Sequence, residues 1–213
     1  MAKILSVLMS LAVALVLLTG SIALPILVRP FYYAHIEPLE LERKSGLSRE
    51  EIVRAYDEVL DFCVGARSEF SAGVLPFSRS GAEHFADCRV LFILDLGLFA
   101  GSAAAVGALA VIRRKTPIHR FRGRGAEFWG AAGLCIALGV VGVLAAIDFD
   151  GAFTAFHSIF FPGKDNWLFD PAADPIITLM PEEFFRNCAI LILAAVIASC
   201  TAVMLCARKK TMQ

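Results

Sequence analysis

The chain reads as an all-α membrane protein: four transmembrane helices with an extracellular cap formed by the segments between helices one and two and between helices three and four. Two observations predict this. Four apolar runs, residues 4–28, 90–112, 128–147 and 188–207, punctuate the sequence. Each is about twenty residues or more, enough at ~1.5 Å per residue to cross a hydrocarbon core ~30 Å thick. They account for a hydrophobic content of 58% and a mean hydropathy of +0.69, too apolar for an ordinary soluble domain. The second observation is charge placement beneath a formal net charge of zero. Residues 113–127 carry Arg113, Arg114, Lys115, Arg120, Arg122 and Arg124 against Glu127 alone, and the tail adds Arg208, Lys209 and Lys210. Residues 148–187 carry seven acids against Lys164 and Arg186. By the positive-inside rule both termini and the 113–127 loop are expected in the cytoplasm, with residues 29–89 and 148–187 outside. The chain is thus expected to be one membrane domain over residues 1–213 with a single outer cap.

The elements follow in order. The first run exceeds a signal-peptide core of roughly 7–15 residues and lacks a convincing small-residue cleavage site, so it is expected to remain as an anchor. Pro30-Phe-Tyr-Tyr33 sits where the chain leaves the bilayer and reads as an interfacial aromatic belt. Ser48 to Glu51 fits a capping box, and Ile52, Val53, Tyr56, Val59, Leu60 and Cys63 follow at helical spacing, predicting an amphipathic outer helix from about Arg49 to Val64. Residues 65–81, rich in Gly, Ser and Pro, suit an extended or hairpin-like path, so the cap admits short strands. A helix starting near Ala82 puts His84 and Asp87 on one face at i and i+3. Asp95 lies about two turns inside the second span, where a charge must be paired or protonated; a bonded, structural role is favoured over a functional one. Small residues crowd the later spans, including Gly97, Gly101, Gly107, Gly130, Gly133, Gly139 and Gly142, and permit close helix contact.

The outer segment 153–185 is long, aromatic and punctuated, which exceeds what a linker needs. If its start is helical, Phe153, Phe160 and Phe161 share a face with His157. The same pattern also fits a helix packing on its neighbours with a histidine at its polar boundary. Asp174-Pro175 and Pro181-Glu182-Glu183 both look like helix starts, with Asp174 as an N-cap. Among the six cysteines no pair has metal-ligand or redox spacing; Cys135, Cys200 and Cys206 fall in apolar runs, while Cys63, Cys88 and Cys188 lie on or near the outer side, where one disulfide is allowed. His35 and His119 read as headgroup-facing or solvated. The arginine loop reads as a topological determinant that meets anionic membrane lipid, with no nucleic-acid role.

His84 and His157 are both expected at the outer membrane-water boundary, where an antiparallel bundle can bring them face to face. Two imidazoles with aromatic walls and a nearby carboxylate suit acyl transfer, one removing a proton from a nucleophile and the other protonating a leaving oxygen. The competing reading is a haem- or metal-binding redox membrane protein that uses the same two histidines as ligands. Such ligands more naturally lie within spans, and no spacing here supports them.

Further motifs distinguish these classes. His84-Phe-Ala-Asp87 entering the second span, Phe156-His157-x-x-Phe160-Phe161, Trp167-x-Phe-Asp170, and Asp174-Pro-Ile-Ile-x-Leu-x-Pro181-Glu-x-Phe184 together resemble the bacterial lipoprotein intramolecular transacylase family over essentially the whole chain. Cys88 stands where that pattern suggests a β-branched residue, and residues 34–80 carry no matching motif. The resemblance implies a bacterial cytoplasmic-membrane acyltransferase that acts on a diacylated lipoprotein. It would move the sn-2 acyl chain of the diacylglyceryl cysteine onto that cysteine's own α-amine, with no cofactor or metal. It implies His84 and His157 as the catalytic pair, Asp87 as the group orienting His84, Phe160, Phe161, Trp167 and Phe169 as pocket walls, and Asp170 as a supporting residue.

Overall fold

The computed structural model describes residues 2–116 and 119–209; the tail residue Lys210 lies outside the described residues. Among them the chain forms nine helices: α1 Ala2–Leu27, α2 Pro30–Tyr33, α3 Leu41–Ser45, α4 Arg49–Cys63, α5 Arg79–Ile112, α6 Ala126–Ile147, α7 Phe149–Phe160, α8 Ile176–Leu179 and α9 Glu182–Lys209. Four of these, α1, α5, α6 and α9, are long and apolar enough to cross a membrane. The expected spans fall within them to within two residues at most of their ends. The exceptions are the starts of α5 and α9, which begin 11 and six residues before the apolar runs do. The cap strands allowed by the sequence do not form among the described residues. The one bridge there, Phe121 with Arg124, lies in the arginine loop.

The chain divides into two compact units. The first comprises Met1–Ala23, Asp95–Ala146 and Leu191–Gln213. Its core joins Ala131 and Leu134 of α6 to Val196 and Cys200 of α9, with Leu17 and Leu18 of α1 packed against them. A second cluster gathers Met9, Val13 and Ala126. The hydroxyl of Ser10 donates to the Ala126 carbonyl at 2.8 Å, and Ser6 donates to the His119 carbonyl at the same distance, tying the arginine loop to α1. The glycines do less than their number suggested. Gly130 lies against the Ser10 backbone and Gly142 against Leu193, but a side chain added at Gly97, Gly101, Gly107, Gly133 or Gly139 would meet open space. Close helix approach therefore uses two of these seven positions. Asp95 also departs from expectation: its Oδ2 is buried without a hydrogen-bond partner among the described residues, so no neighbour neutralises it by bonding.

The second unit comprises Leu24–Leu94 and Ile147–Ile190. It begins from α4, whose capping box forms as read. Ser48 Oγ accepts from Glu51 N–H at 3.3 Å, and Glu51 Oε2 accepts from Ser48 N–H at 2.9 Å. One face of α4 buries Ile52, Ala55, Tyr56, Val59, Leu60 and Cys63. The opposite face is tethered by Asp57 and Asp61, which pair with Arg29 at 3.1 and 2.5 Å.

Two further expectations are corrected in this unit, and one open question is answered. Pro30-Phe-Tyr-Tyr33 is not simply a belt at the bilayer edge. It is the helix α2, and Tyr32 is 1% exposed, stacked on Tyr56 at 3.6 Å and edge-on to Phe184 at 5.1 Å. Its hydroxyl donates to the Leu179 carbonyl at 2.8 Å, which satisfies the polar end inside the protein. His35 joins the rim of this cluster, 4.6 Å from Phe31 and 5.7 Å from Phe184. Asp174 does not cap the helix that follows it, because α8 begins at Ile176 with no side-chain cap. Finally, Cys63, Cys88 and Cys188 are free thiols, so the allowed disulfide is not made.

Candidate active site

His84 owes its placement to the start of α5. Ser78 caps that helix: its Oγ accepts from Gly81 N–H at 2.9 Å. A capping box normally adds an acid three residues on, reaching back to the cap's own N–H. Here that position is glycine, and the acid comes from 96 residues away. Asp174 accepts from both Ser78 N–H and Ser78 Oγ–H at 2.7 Å. A Cβ at Gly81 would run into the Asp174 carboxylate, so glycine leaves room for the substituted acid. His84 follows on the second turn and is 5% exposed.

His157 belongs to α7, which Asp148 caps by accepting from Gly151 N–H at 2.9 Å. It is 7% exposed. Its Nδ1–H donates to the Phe153 carbonyl at 2.8 Å, which leaves the Nε2 lone pair as the basic site of the neutral ring. Burial pushes its pKa below the usual imidazole value, with the Phe153 carbonyl opposing the shift in part.

The two imidazoles lie 6.0 Å apart, centroid to centroid, and are inclined by 31°. Trp167 stacks on His157 at 4.4 Å, and Phe153 packs against it at 4.3 Å, the two aromatic rings themselves 6.4 Å apart. Phe161 contacts both rings, at 5.0 Å from His84 and 5.7 Å from His157. Phe169 meets His84 edge-on at 5.4 Å. The site is therefore two neutral-leaning imidazoles in a largely apolar, aromatic enclosure, able to exchange protons at Nε2 with a group held between or beside them.

Two expected members stand elsewhere. Phe160 is 49% exposed and packs on Phe156 at 4.6 Å, with no ring contact to His157. The reason is that α7 ends at Phe160 and the chain turns at Phe161, which swings the later ring inward in its place. Asp170 is exposed; its carboxylate accepts from Ala172 N–H at 2.9 Å and bonds to neither histidine. Asp87 is near but differently engaged. It does not bond the His84 ring; both its oxygens accept from Lys164 Nζ, at 2.6 and 2.7 Å, and Oδ2 also accepts from Asn166 Nδ2 at 3.2 Å.

Sequence reasoning missed Lys164 and Asn166, which hold Asp87, and gave no role to Cys88, whose Sγ lies 3.4 Å from His84 Nε2. Cys88 was accessible in principle, being at i+4 from His84 on one helix. Lys164 and Asn166 are 77 and 79 positions from Asp87, and no local pattern marks them.

The family model for the lipoprotein intramolecular transacylase Lit matches residues 7–185. Among solved structures, the chain resembles the membrane integral lipoprotein intramolecular transacylase Lit from Bacillus cereus. Identity is 23%, coverage is 99% of this chain and 97% of that one, and the TM-score is 0.88. Variants of that protein with a histidine replaced by arginine or by alanine align at 21% and 22% identity. They cover 99% of this chain and 94% and 95% of theirs, with TM-scores of 0.81 and 0.82. No curated protein matches the chain. At these identities the solved structures attest the fold.

Proposed function

The chain belongs to the lipoprotein intramolecular transacylase family, and from that premise we propose that it moves the sn-2 acyl chain of a lipoprotein's diacylglyceryl cysteine onto the α-amine of the same cysteine. The observation that carries this reading is the pairing of His84 and His157, 6.0 Å apart and both buried, inside the wall of Phe153, Phe161, Trp167 and Phe169.

The α-amine, with a reference pKa near 7.7–8.0, needs only modest assistance from a neutral imidazole. Its nitrogen forms a bond to the ester carbonyl carbon while one histidine takes the N–H proton. The bond between the acyl carbon and the sn-2 ester oxygen then breaks as the histidine pair, charged by the amine's proton, returns that proton to the departing oxygen. The products are an amide and a free sn-2 hydroxyl, and the enzyme finishes with the same number of protons. The path passes through an eight-membered ring containing nitrogen, Cα, Cβ, sulfur, two glyceryl carbons, the ester oxygen and the acyl carbon. Closing such a ring is entropically unfavourable in solution, so an aromatic enclosure that folds the substrate on itself supplies rate by orientation. Ester-to-amide exchange is downhill and calls for no cofactor.

The charge pattern supports an outer-face location for this chemistry at the bacterial cytoplasmic membrane, with the Arg113–Glu127 loop inside. The test is mass spectrometry of a diacylated lipopeptide incubated with the purified protein. His84→Ala and His157→Ala should each insert normally and lose activity by about 100-fold or more. Retained activity in both would remove the dyad.

A further inference from the structure

Two polar atoms beside the histidine pair are buried without a partner among the described residues: His84 Nδ1 and Asn166 Oδ1. Unsatisfied buried atoms are costly, and two of them on neighbouring side chains invite a common explanation. The orientation of the Asn166 amide is determined at its other end. Nδ2 lies 3.2 Å from Asp87 Oδ2, and a carboxylate only accepts, so the NH2 group faces Asp87 and the carbonyl oxygen faces away. The amide lies close enough to the His84 ring to influence it, although no hydrogen bond between Asn166 Oδ1 and His84 Nδ1 is closed in the structure. An amide oxygen can only accept, which requires a hydrogen on the His84 nitrogen that it meets.

We propose that Asn166 is a positioning residue for His84: its Oδ1 accepts from His84 Nδ1–H while its Nδ2 holds Asp87, so that a neutral His84 presents the Nε2 lone pair. Lys164, bonded to both oxygens of Asp87, anchors the far end of this chain. The arrangement gives His84 the tautomer that the Phe153 carbonyl gives His157, by a side chain instead of a helix carbonyl. Both rings then work through Nε2. What meets His84 Nε2 is the Cys88 thiol at 3.4 Å, a weak partner that a substrate amine or hydroxyl displaces readily. The inference deepens the acid-base reading and rests on it for its catalytic consequence; the charged and titratable groups facing His84 are His157, Asp87, Lys164 and Cys88.

The experiment is nitrogen-15 NMR of the full chain, histidine-labelled and in detergent, alongside kinetics on a diacylated lipopeptide. The chain has four histidines, and His84→Ala identifies the signal of interest. The wild type should show His84 protonated at Nδ1 and bare at Nε2. Asn166→Leu should mix the two tautomers at His84, leave His157 unchanged, and lower kcat about 10- to 100-fold with little change in KM. Asn166→Asp, which keeps an acceptor, should restore the Nδ1–H form. An Nε2–H tautomer in the wild type overturns the proposal even if Asn166→Leu fails to insert, and an unchanged kcat in an inserted Asn166→Leu overturns it whatever the spectrum shows. Because the tautomer is read without turnover, an active His84→Ala would remove the acid-base reading while the link between Asn166 and His84 stood.

Discussion

His157 is held neutral by desolvation, and the sign of its pH response follows. Its folded pKa lies below the ordinary value near 6.5, so the free base persists to lower pH and the acid limb of kcat/KM should fall below pH ~6.5. An acid limb above that value would contradict burial as the dominant influence. The same shift has a stability consequence. As pH falls below ~6.5 the unfolded chain takes up a proton that the folded chain resists, so stability should decline until the folded pKa is passed. Thermal unfolding of His157→Gln should lose part of that acid-side decline. At Tyr32, removing the hydroxyl in Tyr32→Phe leaves the Leu179 carbonyl without its donor, an expected loss of roughly 0.5–1.5 kcal/mol. Tyr32→Ala also removes a ring stacked on Tyr56 and should cost roughly 3–5 kcal/mol. These residues show unequal legibility. His84 and His157 stood out as titratable groups beside apolar spans, whereas the burial of Tyr32 did not, because a tyrosine at a span end satisfies a wet belt and a dry core equally well.

At the scale of elements, the capping of α5 by a distant acid is the arrangement most open to test. Asp174→Ala removes two acceptors from Ser78 and should destabilise the start of α5 by roughly 1–3 kcal/mol. Hydrogen exchange of the amides near Gly81 would accelerate, while exchange within α4 would not. Gly81→Ala should produce a similar local loss by displacing the Asp174 carboxylate. Unchanged protection in both variants would show that the cap is dispensable. The Lys164–Asp87 pair is different: the lysine side chain is half exposed, so Lys164→Ala should change global stability by no more than ~1 kcal/mol. The capping box of α4 was legible because Ser48 and Glu51 are three residues apart. Asp174 read as the cap of its own helix for the same local reason, and was claimed instead by a helix with no acid at its third position.

For the molecule as a whole, the charge distribution makes a prediction about sidedness. Single cysteines introduced at Arg122 and at Asp165, in a chain whose native cysteines are replaced, should label from opposite faces of the membrane, Asp165 from outside. Labelling of both from one side would invert or break the four-span topology. The six native thiols are free, so reductant should leave thermal unfolding of the unmodified chain unchanged.

What the sequence determined alone was the set of four long helices, the amphipathic α4, and the two histidines worth watching. Each depends on quantities that add along the chain: transfer energy per residue, helical periodicity, and caps three positions apart. Only the tertiary structure decided that Phe161 faces the imidazoles and Phe160 does not, that Asp87 is held by Lys164 and Asn166, and that Gly142 packs while Gly139 is left open. Those outcomes turn on where a helix stops and on contacts between segments some 50 to 80 residues apart, which only the folded path of the chain brings within the few ångströms that a hydrogen bond or a packing contact requires.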